Sequence, residues 1–370
     1  MTYYKYPYIF FNKEFIDYNN IKTTKENSDI CINKTLKKYL NDTKNSVQDE
    51  KEWDKYKKYT NTYEYIQLQT NKLFPYLLQP LSRSYYKMIE IIKVFNICEN
   101  KTPIRTFHFA EGPGGFVQAL IDIRKNPNDV YNTMTLIDDD INVPGWKKSQ
   151  VFLNKNKNVK VEYGQDKTGD LSKYHNLLYC YKNYNQTIDL VTADGGFDFS
   201  DDYNNQEQLA LKLILYEISH AILVQKKGGT FILKVFDTFT YLSVDIIYLL
   251  SLLYENVHII KPQTSRNANS EKYLVCNDFR LHDISFILPF IKNIYSCQDN
   301  IYRLFKHEIP CMYINKIEEY NSIYGQQQME NIIMTLNLIN LQKKDSVNKL
   351  ENIKKNNLLK CLKWCENYLY

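Results

Sequence analysis

The sequence predicts an α/β fold built on a doubly wound, mostly parallel sheet, with helical extensions at both ends of the chain. Short apolar runs alternate with helical patterns through the middle of the chain, as in sheets whose strands are joined by crossover helices. One of these runs, 107–110, ends in the glycine-rich turn Glu-Gly-Pro-Gly-Gly, and helical spacing resumes at Phe116. Acidic residues directly follow other apolar runs, at the strand ends where such sheets bind ligands.

The composition limits the classes of protein to which the chain can belong. Its 370 residues supply ample apolar side chains for a core, and the net charge of +5 is compatible with RNA binding without requiring it. The eight cysteines form no CxxC pair and have no histidine at ligand spacing, which indicates free thiols in a reducing compartment and no structural zinc. We see no signal-peptide pattern and no membrane-spanning run, so we expect a cytoplasmic protein without a membrane segment.

The N-terminal extension, residues 1–79, is polar and rich in tyrosine and lysine, with a helix predicted over 50–69. Its aromatic opening, from Tyr3 to Phe11, either packs on the main domain as an apolar arm, which we favour, or stacks on RNA bases. The next helical pattern has one apolar side, and Lys87 lies off that side. A lysine in such a position is ordinarily solvated.

The glycine-rich turn predicts a cofactor site. A dinucleotide-binding turn has the pattern GxGxxG, whereas this chain carries Glu111 where a pyrophosphate would be repelled. We therefore expect a ligand with a cationic or hydroxyl-rich end. S-adenosylmethionine (SAM), which carries a sulfonium and an amino group, meets that requirement. An ordinary turn before a helix is the alternative that the turn alone leaves open.

Two further strands are predicted over 133–137 and 159–163. Asp170, and after it Asp166, follows the second of these strands and is placed to accept hydrogen bonds from ribose hydroxyls or from an adenine amino group. The acids at 138–140 follow the first strand and are alternative ribose ligands, although three acids in a loop are more often solvated.

The remaining strands carry isolated charged residues next to apolar runs. The buried strand 188–193 ends at Asp194, which we expect to point into the crevice at the sheet edge. Lys234 lies inside the apolar run GGTFILKVFD, where an unpaired lysine is costly to desolvate. Glu271 leads into the last predicted strand, 272–276.

The C-terminal extension, residues 286–370, is predicted to be helical. Its apolar side should dock on the main domain or, as the alternative, on a protein partner. The residues expected on that side are Ile332, Ile333, Leu336, Leu341, Leu350, Leu358 and Leu362.

Four motifs in order, FAEGPGGF, LVTADGG, GGTFILKVFD and TSRNANSEKYLV, resemble the FtsJ-like family of SAM-dependent ribose 2′-O-methyltransferases over residues 80–285. The resemblance implies a Rossmann-like methyltransferase domain between the two extensions. It also implies the family's Lys-Asp-Lys-Glu tetrad. The matching residues are Lys87, Asp194, Lys234 and Glu271.

The segments TLIDDDINVPGW and YGQDKTGDL are similar to the branch that makes cap-1 on mRNA, in eukaryotic capping enzymes and large cytoplasmic DNA viruses. The abundance of tyrosine, asparagine, lysine and isoleucine indicates an AT-rich coding sequence, which suits such a virus. The implied substrate is therefore capped mRNA, methylated at its first transcribed nucleotide.

The resemblance also implies roles for individual residues. Lys234 acts as the general base, with a pKa lowered by burial and by Lys87, while Asp194 and Glu271 fix its geometry and no metal is needed. Asp194 also lies near the sulfonium. Asp170 binds the adenine. The other expected cofactor ligands are Glu111, Gly112, Pro113, Gly114, Gly115 and Phe116, and the expected RNA ligands are Arg266, Asn269 and Ser270.

Three alternatives to the cap-specific interpretation differ in how well the sequence supports them. A ribosomal or transfer RNA ribose methyltransferase of the same family is poorly separated from it, because substrate choice depends on loops and extensions. A non-catalytic RNA-binding protein has no need of a lysine in an apolar strand. A nicotinamide-dependent oxidoreductase would require the missing GxGxxG pattern.

Overall fold

The structure, a computed structural model, describes residues 2–25, 30–48, 50–73, 79–100, 102–138, 140, 143–196, 204–341 and 347–369. Its strands within these residues are β1 (Tyr3–Lys5), β2 (Lys22–Thr24), β3 (Arg105–Phe109), β4 (Val130–Met134), β5 (Val159–Glu162), β6 (Ile188–Ala193), β7 (Gln225–Val235), β8 (Tyr254–Ile260), β9 (Lys272–Phe279) and β10 (Asn300–Arg303). Its α-helices are α1 (Lys34–Gln48), α2 (Trp53–Thr60), α3 (Ile66–Leu73), α4 (Ser84–Phe95), α5 (Gly115–Arg124), α6 (Gln150–Lys155), α7 (Tyr174–Tyr184), α8 (Gln206–Val224), α9 (Tyr241–Leu253), α10 (Leu288–Ser296), α11 (Cys311–Leu341) and α12 (Val347–Leu369).

The central sheet has the strand order β1-β8-β9-β7-β6-β3-β4-β5, with β2 and β10 paired separately. Strand β3 pairs in parallel with β4 and with β6, and the parallel pairing continues to β5 on one side and β7 on the other. Strands β9, β8 and β1 extend the sheet in antiparallel pairing. The chain therefore changes direction across the sheet at β3, and the crevice at the carboxyl ends of β3 and β6 is the expected ligand position. The predicted fold class is confirmed.

Two layers of helices bury the faces of the sheet. Helices α4, α5 and α12 cover one face through side chains such as Ile89, Phe116 and Cys365. Helices α7, α8 and α9 cover the other through side chains such as Leu177 and Leu250. These helices are apolar where they meet the sheet because removing apolar surface from water is the main favourable term in folding. Among the described residues, no helix has the length and apolarity that crossing a membrane would require.

The N-terminal extension is joined to the sheet. Strand β1 pairs with β8, and Tyr6 is buried against Tyr313, which supports the packed arm over a surface free to stack on RNA. The single helix expected over 50–69 is wrong, because α2 ends before a turn whose carbonyls at Tyr63 and Glu64 accept hydrogen bonds from Arg83. The extension boundary at residue 79 stays a prediction, as does the boundary at 285.

Other expected elements need correction. The strand expected over 133–137 is β4, three residues earlier, because Leu136 and Ile137 leave the sheet and are exposed. The apolar side expected on the C-terminal helices is partly wrong, because Ile333 and Leu341 are also exposed. The residues of α11 and α12 that are buried in the chain are Tyr313, Ile317, Tyr320, Asn321, Tyr324, Gly325, Gln328, Ile332, Thr335, Leu338, Asn357, Cys361, Trp364 and Cys365.

Candidate active site

The glycine-rich turn brings two helices together at the carboxyl end of β3. Gly114 precedes α5 with a φ of 104°, in the left-handed region that favours glycine. A Cβ on Gly115 would overlap Ser84 Oγ, at the start of the helix that carries Lys87. The absence of a side chain at Gly115 therefore lets α4 and α5 touch. The place of these glycines among the cofactor ligands stays a prediction.

Glu111 follows β3 and is buried. Its Oε1 accepts a hydrogen bond from the Phe116 backbone N–H, so that amide is already used and is not available to cradle a cofactor. Its Oε2 accepts no hydrogen bond from the described residues and lies 3.5 Å from Nδ1 of His108, whose pKa burial lowers to about 3. Burial and the charge of Asp194 raise the pKa of Glu111 well above its ordinary value. The turn therefore holds a carboxylate with one unused oxygen and no counter-charge from His108.

Lys87 and Glu271 form one of two ion pairs in the crevice. Lys87 Nζ lies 2.7 Å from Glu271 Oε1, and the two side chains expose only 13% and 12% of their surface. The Ser265 hydroxyl donates to the same carboxylate at 2.8 Å. The charge of Lys87 holds the pKa of Glu271 below its ordinary value, although burial alone would raise it.

Lys234 and Asp194 form the second pair. Lys234 Nζ donates to the main-chain carbonyl of Asp194 at 2.7 Å and lies 3.3 Å from Asp194 Oδ1. The Tyr273 hydroxyl donates to the same Oδ1 at 2.8 Å, and Lys87 Nζ lies 6.0 Å from the centre of the Tyr273 ring. Tyr273 therefore joins the two pairs into one cluster.

Tyr273 was missed by the sequence reasoning. The available signal was the period-two pattern of a strand, which places Tyr273 on the same side as Glu271. The cluster draws its residues from α4, β7, β9 and the end of β6, elements that are distant in the chain.

The protonation state of Lys234 differs from the expectation. Burial does lower its pKa, but the charges of Asp194, Glu271 and Glu217 raise it by more, so the net pKa lies above the ordinary value. The predicted lowering by burial and Lys87 is therefore wrong for the protein alone. The reason is the number of carboxylates around the amine.

Glu217 is the carboxylate that sequence reasoning missed. It lies inside the apolar helix α8 and is 1% exposed, and its Oε1 accepts a hydrogen bond of 3.0 Å from the Gly195 backbone N–H. Burial raises the pKa of Glu217 to about 8, although Lys234 and that N–H work in the opposite direction. Glu217 thus supports the loop that follows Asp194 from behind. The signal for it was an acid within an otherwise apolar helix.

The loop after β5 lies beside the segment after β4, since the Ile137 N–H donates to the Thr168 carbonyl at 2.8 Å. Asp166 is used within this loop, accepting from Thr168 and from His175 at 2.8 Å. Asp170 is 27% exposed at its side chain and accepts from the Ser172 N–H at 2.8 Å. Both remain predicted adenosine ligands. Of the acids at 138–140, position 139 lies outside the described residues.

The three expected RNA ligands occupy different environments. The Arg266 side chain is 45% exposed and lies 3.4 Å from Glu64 Oε1. Asn269 accepts from Lys261 through its carbonyl and its side chain, at 2.6 and 2.9 Å. Ser270 is 2% exposed and its hydroxyl donates to Gln206, so its side chain is directed to protein rather than to the surface.

Lys261 is a charged residue that contacts the segment of the expected RNA ligands, and the sequence reasoning did not single it out. Its Nζ also donates to the Glu271 carbonyl at 2.9 Å. Burial, together with the charge of Lys272, lowers the pKa of Lys261 to about 7. Lys261 therefore holds the backbone on both sides of Ser270.

Comparison with known proteins agrees with this geometry. Residues 80–279, more than half of the chain, match the model of a family described as FtsJ-like methyltransferase. The chain belongs to the FtsJ-like methyltransferase family. Among the described residues, no group of three or more His, Cys, Asp or Glu side chains could hold a metal ion.

The similarity to named relatives covers more of this chain than the matched domain, residues 80–279. A cap-specific mRNA (nucleoside-2'-O-)-methyltransferase 2 of Danio rerio is 27% identical over 354 residues, covering 86% of this chain and 45% of that protein. A cap-specific mRNA (nucleoside-2'-O-)-methyltransferase 1 of Leishmania braziliensis is 35% identical over 257 residues, covering 60% of this chain and 63% of that protein. The Autographa californica nuclear polyhedrosis virus protein named cap-specific mRNA (nucleoside-2'-O-)-methyltransferase is 27% identical over 272 residues, covering 73% of this chain and 90% of that protein. The chain thus spans less than half the length of the Danio rerio relative.

Proposed function

We propose that this FtsJ-like protein is a SAM-dependent cap-specific mRNA (nucleoside-2′-O-)-methyltransferase that makes cap-1, with Lys87, Asp194, Lys234 and Glu271 as its catalytic residues. The observation that carries the proposal is the cluster of two ion pairs joined by Tyr273 at the crevice where the sheet changes direction. The names of the three relatives support the choice of capped mRNA as substrate.

The charges at the turn fit SAM. Burial, and after it the charge of Asp194, raises the pKa of Glu111 well above its ordinary value, and no described residue donates a hydrogen bond to Glu111 Oε2. A ligand that brings an ammonium and a sulfonium would offset this negative potential. SAM supplies an electrophilic methyl group when bound. In this proposal Glu111, Asp194 and the turn Gly112–Pro113–Gly114 hold its charged end, and Asp170 holds its adenine.

The tetrad then acts on a ribose 2′-hydroxyl. A hydroxyl is a weak nucleophile until its proton is removed, and Lys234 can accept that proton only as a neutral amine. A cation held beside Asp194 offsets the carboxylate that raises the pKa of Lys234, and so moves that pKa downward. The O–H bond of the ribose then breaks as an N–H bond forms on Lys234. Lys87 holds Glu271 in position beside this amine.

Substrate and setting complete the proposal. The RNA would contact Arg266 and, through the backbone around them, Asn269 and Ser270. The composition and the cap-1 resemblance support a source in a large cytoplasmic DNA virus, with the protein located in the host cytoplasm or in the virion. A protein partner would bind the exposed apolar residues Ile333 and Met334 of α11, which are 49% and 48% exposed.

The test is transfer of radiolabelled methyl from SAM to three short RNAs, with an N7-methylated cap, an unmethylated cap or no cap, followed by nuclease mapping. Label on the 2′-oxygen of the first nucleotide, and only with a cap, is the expected result. Label on uncapped RNA would refute cap specificity and favour a ribosomal or transfer RNA substrate.

Lys234→Ala should lose at least about a hundredfold in transfer rate while SAM binding and thermal unfolding are retained. Lys226→Ala is the matched control, because Lys226 lies on the same strand but is 47% exposed and paired with Asp189. Retained transfer by Lys234→Ala would contradict the role of Lys234 as base.

A further inference from the structure

A cleft lies beside the catalytic cluster, between helices α1 and α2, helix α11 and the loop that leads to Glu271. The cleft has a volume of about 200 Å³ and is open to solvent. Asn269 and Ser270 line it, so the cleft begins one residue from Glu271. The loop that leads to Glu271 therefore lines the cleft just before it reaches the crevice.

The cleft wall combines one aromatic ring, cationic side chains and amides. Trp53 of α2 lines it and is partly exposed. Lys57 lines the same wall one helical turn later, with 33% of its side chain exposed, and Arg266 lines it with 45% exposed. Asn331 lines it from α11, and its Nδ2 is oriented by a hydrogen bond to the Thr60 carbonyl.

Acidic residues accompany both cations but do not cancel them. Lys57 is paired with Asp54, whose side chain is 83% exposed, so this attraction is screened by water. Arg266 lies 3.4 Å from Glu64, at a distance that leaves other guanidinium N–H groups for a second acceptor. At the floor, Lys44 is buried and paired with Asp237. The charged residues that line the cleft itself, Lys44, Lys57 and Arg266, are all basic.

An indole beside two cations is the combination that binds nucleotides, because bases stack on aromatic rings and phosphates attract lysine and arginine. Trp53, Lys57 and Asn331 lie outside residues 80–279, the part that matches the family. The extensions thus contribute the side of the cleft that carries Trp53 and Asn331, and the matched domain contributes the side that carries Arg266.

We propose that this cleft binds a nucleotide of the substrate RNA that flanks the one being methylated. The base lies against Trp53, and the phosphates lie near Lys57 and Arg266. This inference rests on the proposed function, which brings RNA to the neighbouring crevice. It gives the N-terminal and C-terminal extensions a common role in holding the RNA end.

The test is direct binding, read by tryptophan fluorescence, with a dinucleotide cap analogue and a short uncapped RNA as probes. Of the three tryptophans, Trp146 and Trp364 are 8% and 2% exposed, so quenching should come from Trp53. Trp53→Ala should abolish the quench and raise the KM for RNA about tenfold, with the KM for SAM and the unfolding midpoint unchanged. Trp53→Phe, which keeps a ring, should restore the KM for RNA to within about threefold.

Arg266→Ala should weaken RNA binding and reduce its dependence on salt. Lys316→Ala is the control, because Lys316 is similarly exposed, at 44%, and paired with Glu319 on α11 away from the cleft. Unchanged RNA binding in both Trp53→Ala and Arg266→Ala would overturn the inference and leave the methyl-transfer proposal standing. Quenching by RNA in a protein that transfers no methyl would refute the proposed function and support the cleft.

Discussion

Glu217 provides a test of the buried ionisable groups behind the loop that follows Asp194. Replacing it with glutamine keeps an oxygen for the Gly195 N–H, which donates at 3.0 Å, and removes the ionisable proton. Burial raises the pKa of Glu217 to about 8 from an ordinary value of 4.5. Between pH 4.5 and about 8 the Glu217 carboxyl group therefore stays protonated in the folded protein, whereas it is ionised in the unfolded chain.

The sign and size of the effect follow from this difference. Where the folded state binds more protons than the unfolded state, stability falls as pH rises, by about 1.4 kcal/mol per pH unit for one group. The contribution of Glu217 is thus fully present below its ordinary pKa and is lost as pH rises to about 8. The variant Glu217→Gln lacks this dependence. Its stability relative to the natural protein should therefore increase by about 3 kcal/mol between pH 5.5 and 7.5.

The measurement is urea unfolding of both proteins at several pH values, compared as differences in free energy of unfolding. A difference in free energy of unfolding that is the same at every pH reflects the changed hydrogen bond. A difference that varies with pH reflects the ionisation of Glu217. Glu351→Gln serves as the control because Glu351 is exposed, and its difference should not change with pH. If the difference in free energy of unfolding for Glu217→Gln is equally independent of pH, the reasoning is refuted.

Two further substitutions test the contacts that surround the site. Gly195→Ala should destabilise the fold by about 1–3 kcal/mol, because its Cβ would overlap the buried Glu217 carboxylate; Gly145→Ala, whose Cβ meets nothing within 4 Å, is the control, and equal urea midpoints would contradict the overlap. Trp364→Phe should cost about 1–2 kcal/mol in urea unfolding, because it removes the indole N–H that donates to buried Glu90 at 2.9 Å; an unchanged midpoint would show that α12 does not depend on this bond.

The sequence was sufficient for the parallel part of the sheet. Strands β3 and β6 are short apolar runs with a glycine turn or an acid at one end, and that local pattern reflects burial on both faces. Strand β8 was missed because it follows the apolar helix α9 without a break, so one apolar run contains two elements.

The four tetrad residues were named from the family resemblance, yet their chemistry depends on two residues to which the resemblance gave no role. Tyr273 joins the two ion pairs, and Glu217 places a third carboxyl group near Lys234. Electrostatic effects depend on distances between groups that are far apart in the chain. Counting the charges around Lys234 therefore required the folded arrangement, and the count reversed the expected direction of its pKa.

By itself, the sequence determined the fold class, the family and four residues of the crevice cluster, because local patterns and motifs are enough to indicate them. The tertiary structure alone decided which backbone amides and carboxylates remain available to bind a ligand. It turned Gly115 toward Ser84, used the Phe116 amide on Glu111, buried Ser270, and placed Trp53 at a cleft near Glu271. Each of these outcomes depends on packing between distant segments, which local sequence does not encode.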